Sequence, residues 1–216
     1  MNDSHAFVAS SALTVCIDFR SPQGWLAVHP TFALEDALGI AADWLPVCAR
    51  PNAPPRAAAA TDDRGTRHRA MRAQYYERDL QRYAALRGLP LGSASRTDDS
   101  RLAALGLLYV KPVGQAATRR YIEAVYRGYF THGEPMRLAD PGAIAACIDA
   151  AGADAAGFAA FTHDAAAGFD ALQAQLAAAG LLHSPAYLAE GDVFTGRAHL
   201  PMLRWLLGGR SGTPPI

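Results

Sequence analysis

An apolar strand that runs directly into a Ser-Pro step is the feature that most constrains the fold of this chain. Residues 13–19 form an apolar run that predicts a buried strand. Ser21 then suits the cap of a helix, and Pro22 suits its first position, where the N–H that proline lacks would be unpaired anyway. Pro30 lies inside the predicted helix and should kink or break it. Residues 40–47 predict a second strand, so the chain opens with a β-α-β unit.

The middle of the chain has the spacing of helices, and its end returns to strands. Residues 49–66 lack any period and predict a loop. A helix is predicted over 68–87, where the residues that recur at helical spacing are Met71, Tyr75, Tyr76, Leu80, Tyr83 and Ala84. Further helices are predicted over 97–109, 115–131, 141–148, 155–161, 164–179 and 200–207, and a strand hairpin over 184–188 and 193–195.

This order of elements predicts the fold class. A β-α-β start, a helical block and an α-β-β-α end together indicate an α/β, thioredoxin-like fold with an inserted all-helical domain. The thioredoxin-like domain is then discontinuous, over 12–50 and 153–210, and the helical insertion domain spans 60–150.

Composition and charge exclude several classes of function. The 216 residues carry 20 basic and 20 acidic side chains, so the formal net charge is zero. A chain without a basic excess is a poor partner for nucleic acid. No basic cluster followed by an apolar run opens the sequence, and no apolar stretch approaches the roughly 20 residues of a membrane span. We therefore expect a cytoplasmic location without membrane contact.

The cysteines and histidines predict neither a dithiol site nor a metal site. Cys16, Cys48 and Cys147 are far apart, and no two of them have redox-motif or zinc spacing. We expect these thiols to be buried as small apolar side chains. The seven histidines show no metal-ligand spacing, so no metal ligand is predicted.

Three motifs carry a resemblance to a known family. They are Asp-Phe-Arg-Ser-Pro-Gln-Gly-Trp-Leu-Ala at 18–27, His-Ser-Pro-Ala-Tyr at 183–187, and Phe-Thr-Gly-Arg-Ala-His-Leu at 194–200. Together they resemble the kappa-class glutathione transferases and the 2-hydroxychromene-2-carboxylate isomerases, which belong with the disulfide oxidoreductases of DsbA type. The resemblance covers residues 13–207.

The resemblance implies a glutathione-dependent isomerase or transferase that acts on a small organic substrate. Ser21 is the implied catalytic residue, because a helix N-terminus favours the glutathione thiolate over the thiol. Pro185 is expected to be cis, so that Ser184 can pair with the extended cofactor. The residues implied in cofactor binding are Ser184, Pro185, Gly196, Arg197 and Asn52. The expected partners are the small-molecule substrate and, in a homodimer, a second copy of the chain.

Departures from the family's motifs keep a second hypothesis open. Gln23 and Gly24 stand where the family has Tyr-Ser, and His199 stands where it has arginine. Ala198 replaces the family's aspartate, which holds the γ-glutamyl end of glutathione. The alternative function is therefore a diverged, non-catalytic thioredoxin-fold binding protein that has lost glutathione chemistry.

Three of the implied site residues also have a purely structural interpretation. Ser21 could be a plain helix cap, Pro185 a trans proline of an edge strand, and Arg197 a solvated turn residue that binds no carboxylate. The sequence argues against a dithiol oxidoreductase, because residues 21–24 contain no cysteine.

Overall fold

The computed structural model describes residues 11–48, 63–92 and 98–215, and it contains one mixed four-stranded sheet. The strands are β1 (Thr14–Ile17), β2 (Asp43–Pro46), β3 (Ala186–Ala189) and β4 (Asp192–Thr195). Their spatial order is β2-β1-β3-β4. β2 is parallel to β1, whereas β3 is antiparallel to both β1 and β4. The predicted α/β, thioredoxin-like fold class is confirmed.

Eight α-helices surround the sheet in the part of the chain that the structure describes. They are α1 (Pro22–Leu38), α2 (Arg64–Leu86), α3 (Arg101–Val110), α4 (Gln115–Phe130), α5 (Pro141–Ala150), α6 (Phe158–Asp164), α7 (Ala166–Ala178) and α8 (Leu200–Leu207). Short 3-10 turns lie at Lys111–Val113, Ala155–Gly157 and Arg197–His199. No strand occurs among the described residues between β2 and β3, so the helical block of the sequence prediction is present.

The sheet is covered on both faces because side chains alternate along each strand. Val15 and Ile17 of β1 pack into the larger apolar cluster, which is shared with α1, α3, α4 and α5. Cys16 points to the opposite face, where it packs with Leu176 of α7 and Leu181. A strand that is buried on both faces reads as the continuous apolar run seen at residues 13–19.

Pro30 does not break α1, so the expectation of a break was wrong. The helix runs from Pro22 to Leu38 with Pro30 inside it. Trp25 and Leu26 before the proline, and Leu34 after it, are all buried in the main core. Burial of both halves of the helix offsets the roughly 3 kcal/mol that an interior proline costs.

Helix α2 is longer than predicted and buries fewer of its apolar residues. It begins at Arg64, because the Asp63 side chain caps it by accepting the Thr66 N–H at 3.0 Å. Only Ala70, Leu80 and Ala84 of the helix are buried, while Met71 and Tyr75 are 69% and 68% exposed. The helical spacing of the sequence therefore predicts this helix correctly, but most of the apolar side chains of α2 are not buried.

The boundaries of the two predicted domains stay a prediction. The main cluster joins residues of β1 and α1 to residues of α3, α4 and α5, so the sheet and the inserted helices share one core.

Among the described residues, no helix is both long and apolar enough to cross a membrane.

Candidate functional site

Ser21 caps α1 at the carboxyl end of β1, which is where the sequence places it. Its backbone is extended (φ −84°, ψ 115°), and its Oγ accepts the Gly24 N–H at 3.0 Å. The same hydroxyl donates to the Ser184 carbonyl at 2.8 Å. The hydroxyl is thus both a helix cap and a link to a segment 163 residues away.

The Ser184–Pro185 step lies beside Ser21 because β3, which follows it, pairs with β1. The peptide bond between Ser184 and Pro185 is cis. Ser184 Oγ accepts the Asp18 N–H at 2.8 Å. The fold therefore brings the predicted catalytic serine and two of the predicted binding residues together at one end of the two central strands, β1 and β3.

Two backbone donors at this end of the sheet have no partner among the described residues. They are the N–H of Gln23, in the first turn of α1, and the N–H of Ser184. Both residues are partly exposed. Free N–H groups at a helix N-terminus attract negative charge, and a free N–H beside a sheet can pair with an extended ligand.

Tyr126 of α4 belongs to this site, although no pattern in the sequence pointed to it. It is fully buried, and its hydroxyl donates to the Asp18 carbonyl at 2.8 Å. Burial raises the pKa of Tyr126 well above its usual value, with the charge of Asp18 as a smaller cause. A hydrogen bond from Ser184 acts in the opposite direction without cancelling this effect. The phenol is therefore a neutral donor.

The Asp18 carboxylate forms an ion pair with Arg20. Arg20 binds it with Nη2 at 2.6 Å and with Nε at 3.0 Å, and both side chains are nearly buried. The Arg20 backbone N–H also donates to the same carboxylate at 2.9 Å. This pair shapes the end of β1 and leaves the chemistry of the site to hydroxyl and N–H groups.

Gly196 and Arg197 approach the site from the end of β4. Gly196 has φ +90°, and its N–H donates to the Pro185 carbonyl at 2.9 Å. The Arg197 guanidinium lies 4.1 Å from the centre of the Tyr83 ring of α2. Arg197 forms no ion pair with any described residue. A half-buried guanidinium without an acidic partner is suited to bind a carboxylate.

Burial also sets the behaviour of Tyr187, which stands two residues after Pro185. Its hydroxyl is 3.1 Å from Thr31 Oγ1. Burial raises the pKa of Tyr187 to about 12, although the hydrogen bond from Thr31 and the charge of Arg197 both lower it. This phenol is neutral at physiological pH.

The other positions that the sequence analysis singled out lie outside the described residues or face solvent. Asn52 lies outside the described residues. Ala198 and His199 are exposed, so the family's carboxylate position is a solvent-facing alanine here. Sequence reasoning missed Tyr126 and Tyr83, which reach the site from inserted helices.

The three thiols are free, and burial disfavours the thiolate form of each. Burial raises the pKa of Cys16 to about 12 and the pKa of Cys48 and Cys147 to about 11. None of them is a thiolate at neutral pH, so none is an activated nucleophile. No cluster of three or more potential metal ligands occurs in the described ranges.

Gly24 is required by close packing, and replacing it should destabilise the protein. A Cβ built at this position would lie 2.4 Å from the Tyr126 hydroxyl and 2.6 Å from Ser184 Oγ. We expect Gly24→Ala to lower the free energy of unfolding by about 1–3 kcal/mol, the cost of overpacking. Glycine to alanine inside a helix is ordinarily stabilising by roughly 0.5–1 kcal/mol. Chemical denaturation measures the difference.

Gly168 provides a matched control for this substitution. It is also the third residue of its helix, α7, and no atom lies within 4 Å of a Cβ built there. Gly168→Ala should therefore stabilise the protein. If Gly24→Ala stabilised the protein as much as Gly168→Ala, the packing of the two hydroxyls against Gly24 would be refuted.

The chain is similar to one protein family over almost its whole length. The model of the DSBA-like thioredoxin domain matches residues 13–208. Among curated protein sequences, none matches this chain.

Solved structures share the same fold. A 2-hydroxychromene-2-carboxylate isomerase has a TM-score of 0.68 at 20% identity, with 91% of this chain and 94% of that chain covered. A probable DsbA oxidoreductase from Streptomyces coelicolor has a TM-score of 0.63 at 20% identity, over 94% and 93%. The disulfide bond oxidoreductase DsbG from Mycobacterium tuberculosis has a TM-score of 0.51 at 16% identity, over 95% and 85%. At these identities the likeness concerns the fold.

Proposed function

Because this chain belongs to the family of DSBA-like thioredoxin domains, we propose that it is a glutathione-dependent isomerase or transferase acting on a small organic substrate. The observation that carries the proposal is the meeting of the Ser21 helix start with the Ser184–Pro185 step. No cysteine stands in the first turn of α1, so the reactive sulfur has to come from a bound thiol. Three free cysteines suit the reducing cytoplasm, where we place the protein.

The polar groups of the site fit a bound thiolate. Glutathione supplies a nucleophilic sulfur that adds to an activated double bond or displaces a leaving group, and that an isomerase later expels. The part of this chain is to favour the thiolate with the Ser21 hydroxyl, the Gln23 N–H and the positive end of the α1 dipole. The Ser184 N–H is placed to pair with the extended main chain of the cofactor.

Arg197 is the group in this proposal that would recognise a carboxylate. Tyr83 lies against its guanidinium, and Gly196 leaves open space, because no atom beyond its two chain neighbours lies within 4 Å of a Cβ built there. Ala198 offers no acceptor for an ammonium group. The site therefore favours the negative end of a ligand over its positive end, and we expect glutathione to bind weakly.

A second candidate function rests on the hydrogen bonds of Ser21. Its hydroxyl already donates to the Ser184 carbonyl and accepts the Gly24 N–H, which is the geometry of a structural cap. Together with Ala198, this favours a diverged binding protein that keeps the cleft but performs no thiol chemistry.

Isothermal titration calorimetry with glutathione separates the two functions. Ala198→Asp restores a carboxylate for the γ-glutamyl ammonium, and a charged hydrogen bond contributes roughly 1.5–3 kcal/mol. We therefore expect this variant to bind glutathione about one to two decades more tightly than the wild type. Asparagine has nearly the same shape as aspartate but carries no charge. We therefore expect Ala198→Asn to gain much less glutathione affinity than Ala198→Asp.

Calorimetry together with a pH titration of the complex identifies the role of Ser21. Ser21→Ala should leave glutathione affinity nearly unchanged but raise the pKa of the bound thiol, read from thiolate absorbance against pH. If Ala198→Asp and Ser21→Ala both behave like the wild type, glutathione is not the ligand, and the binding-protein function stands in its place.

A further inference from the structure

The structure assigns Tyr126 to the site as a positioning residue. We propose that its hydroxyl, together with that of Ser184, fixes the turn of residues 18–21 and thereby the side chain at position 21. The inference deepens the proposed function by naming a further residue of the same site, and it is testable without glutathione.

Both backbone polar groups of Asp18 are held by hydroxyls from distant parts of the chain. The Tyr126 hydroxyl donates to the Asp18 carbonyl at 2.8 Å, and Ser184 Oγ accepts the Asp18 N–H at 2.8 Å. The same Asp18 carbonyl accepts the Ser21 N–H at 2.8 Å, which closes the turn. Tyr126 thus acts on Ser21 through an oxygen that they share.

The two hydroxyls converge on Gly24, one helical turn beyond Ser21. Both would lie within 2.6 Å of a Cβ built on Gly24. Gly24 also donates its N–H to Ser21 Oγ. The absence of a side chain at position 24 therefore lets Tyr126 and Ser184 reach the backbone that orients Ser21.

The ring of Tyr126 is rigidly packed, so its hydroxyl can be removed without moving it. The ring stacks on Trp25 with centroids 5.4 Å apart and planes inclined by 16°, and on Phe130 at 6.2 Å and 13°. The Phe19 ring lies 5.1 Å away. A phenylalanine in this place keeps these ring contacts and loses only the hydrogen bonds of the hydroxyl, to the Asp18 carbonyl and from Ser184.

Tyr121 provides an internal control for the hydroxyl. It is also fully buried, its hydroxyl also donates to a backbone carbonyl at 2.8 Å, and it also faces a helical glycine, Gly106. Its acceptor is Ala103 in α3, not the turn before α1. Tyr121→Phe therefore removes an equivalent hydrogen bond outside the site.

The test uses a thiol introduced at position 21 as the reporter. In a Ser21→Cys background, thiolate absorbance against pH gives the pKa of the introduced thiol, since the native thiols titrate at about 11 to 12. Adding Tyr126→Phe should raise this pKa by about half to one unit, the effect of one hydrogen bond. Adding Tyr121→Phe should leave it unchanged. An equal pKa in the two double variants would overturn the proposal.

Amide hydrogen exchange tests the same role in the chain that keeps Ser21, so a Ser21→Cys variant that fails to fold does not leave the matter open. Tyr126→Phe should reduce the protection of the Ser21 N–H about fivefold, because its acceptor is no longer held. Tyr121→Phe should not change it. Unchanged protection in Tyr126→Phe refutes the proposal. Failure of glutathione to bind would count against the proposed function and leave both of these results unaffected.

Discussion

Glu35→Ala is expected to lower the free energy of unfolding by about 3–5 kcal/mol, the cost of removing one partner from a buried ionic network. Glu35 lies in α1 and is completely buried. Its carboxylate accepts hydrogen bonds from the Ala42 N–H at 2.7 Å, from Gln115 at 3.2 Å and from Arg119 at 3.0 Å. One side chain therefore ties the end of α1 to the start of β2 and to the first turns of α4.

The effect is large because the hydrogen-bond donors that face the Glu35 carboxylate remain in the variant and lose their acceptor. Without the carboxylate, the Ala42 N–H loses its acceptor, and so does the buried indole N–H of Trp44, which lies 3.4 Å from it. The Gln115 amide also loses its acceptor, but this residue is exposed and its amide can bind water instead. Each buried donor without an acceptor carries a desolvation cost of roughly 1–3 kcal/mol. For a chain of this length we expect the melting temperature to fall by about 6–20 °C.

Asp36 is the matched control, since it binds the same arginine from the next position. Its contact to Arg119 is 2.7 Å, but its side chain is 65% exposed. We expect Asp36→Ala to cost no more than about 1 kcal/mol, as is usual for an exposed ion pair. Thermal and urea denaturation of both variants give the comparison. Equal losses for Glu35→Ala and Asp36→Ala would show that the buried network contributes nothing beyond one ordinary ion pair.

The local features of the fold could be predicted because short-range chemistry determines them. The Ser21 cap and Pro22 mark the start of α1 without reference to the rest of the chain, and Asp140 with Pro141 does the same for α5. The apolar run at 13–19 correctly indicates a buried strand. The predicted strand is too long at both ends, because the hydrogen-bonded pairing of β1 with its neighbours covers only Thr14–Ile17.

What could not be predicted depends on contacts between distant residues. Pro30 is tolerated because both halves of α1 are buried in the core, a property that no local window contains. Met71 and Tyr75 have the spacing of a buried helix face, yet α2 leaves them exposed. The period of a sequence predicts a helix but does not say which surface covers it.

The candidate site shows the same division. Ser21 and Pro185 could be found from sequence because each stands in a recognisable motif. Tyr126 could not, since its hydroxyl binds a carbonyl 108 residues earlier in the chain. Gly24 looked like a departure from a motif, and the structure shows that the departure accommodates the hydroxyls of Tyr126 and Ser184.

The second large effect concerns a thiol placed at the start of α1. Ser21→Cys puts a sulfur next to the Gly24 N–H, near the unpartnered Gln23 N–H and at the positive end of a 17-residue helix. Cysteine thiols at helix N-termini have pKa values of about 3.5–7.5, against about 8.5 for an unperturbed cysteine thiol. Because a lowered pKa favours the charged form, the introduced thiol should be mostly thiolate at pH 7.

Ser211→Cys is the control for this measurement, since Ser211 is exposed and lies outside every helix. Its thiol should titrate near the ordinary value of about 8.5. The native thiols do not interfere, because burial holds their pKa values at about 11 to 12.

The pKa of the Ser21→Cys thiol, read from thiolate absorbance between pH 4 and about pH 10, tests most directly whether this site stabilises a thiolate. A value below about 7, and at least one unit below that of Ser211→Cys, is the predicted result. A value equal to that of Ser211→Cys would contradict the thiolate site at Ser21, and with it the proposed glutathione chemistry.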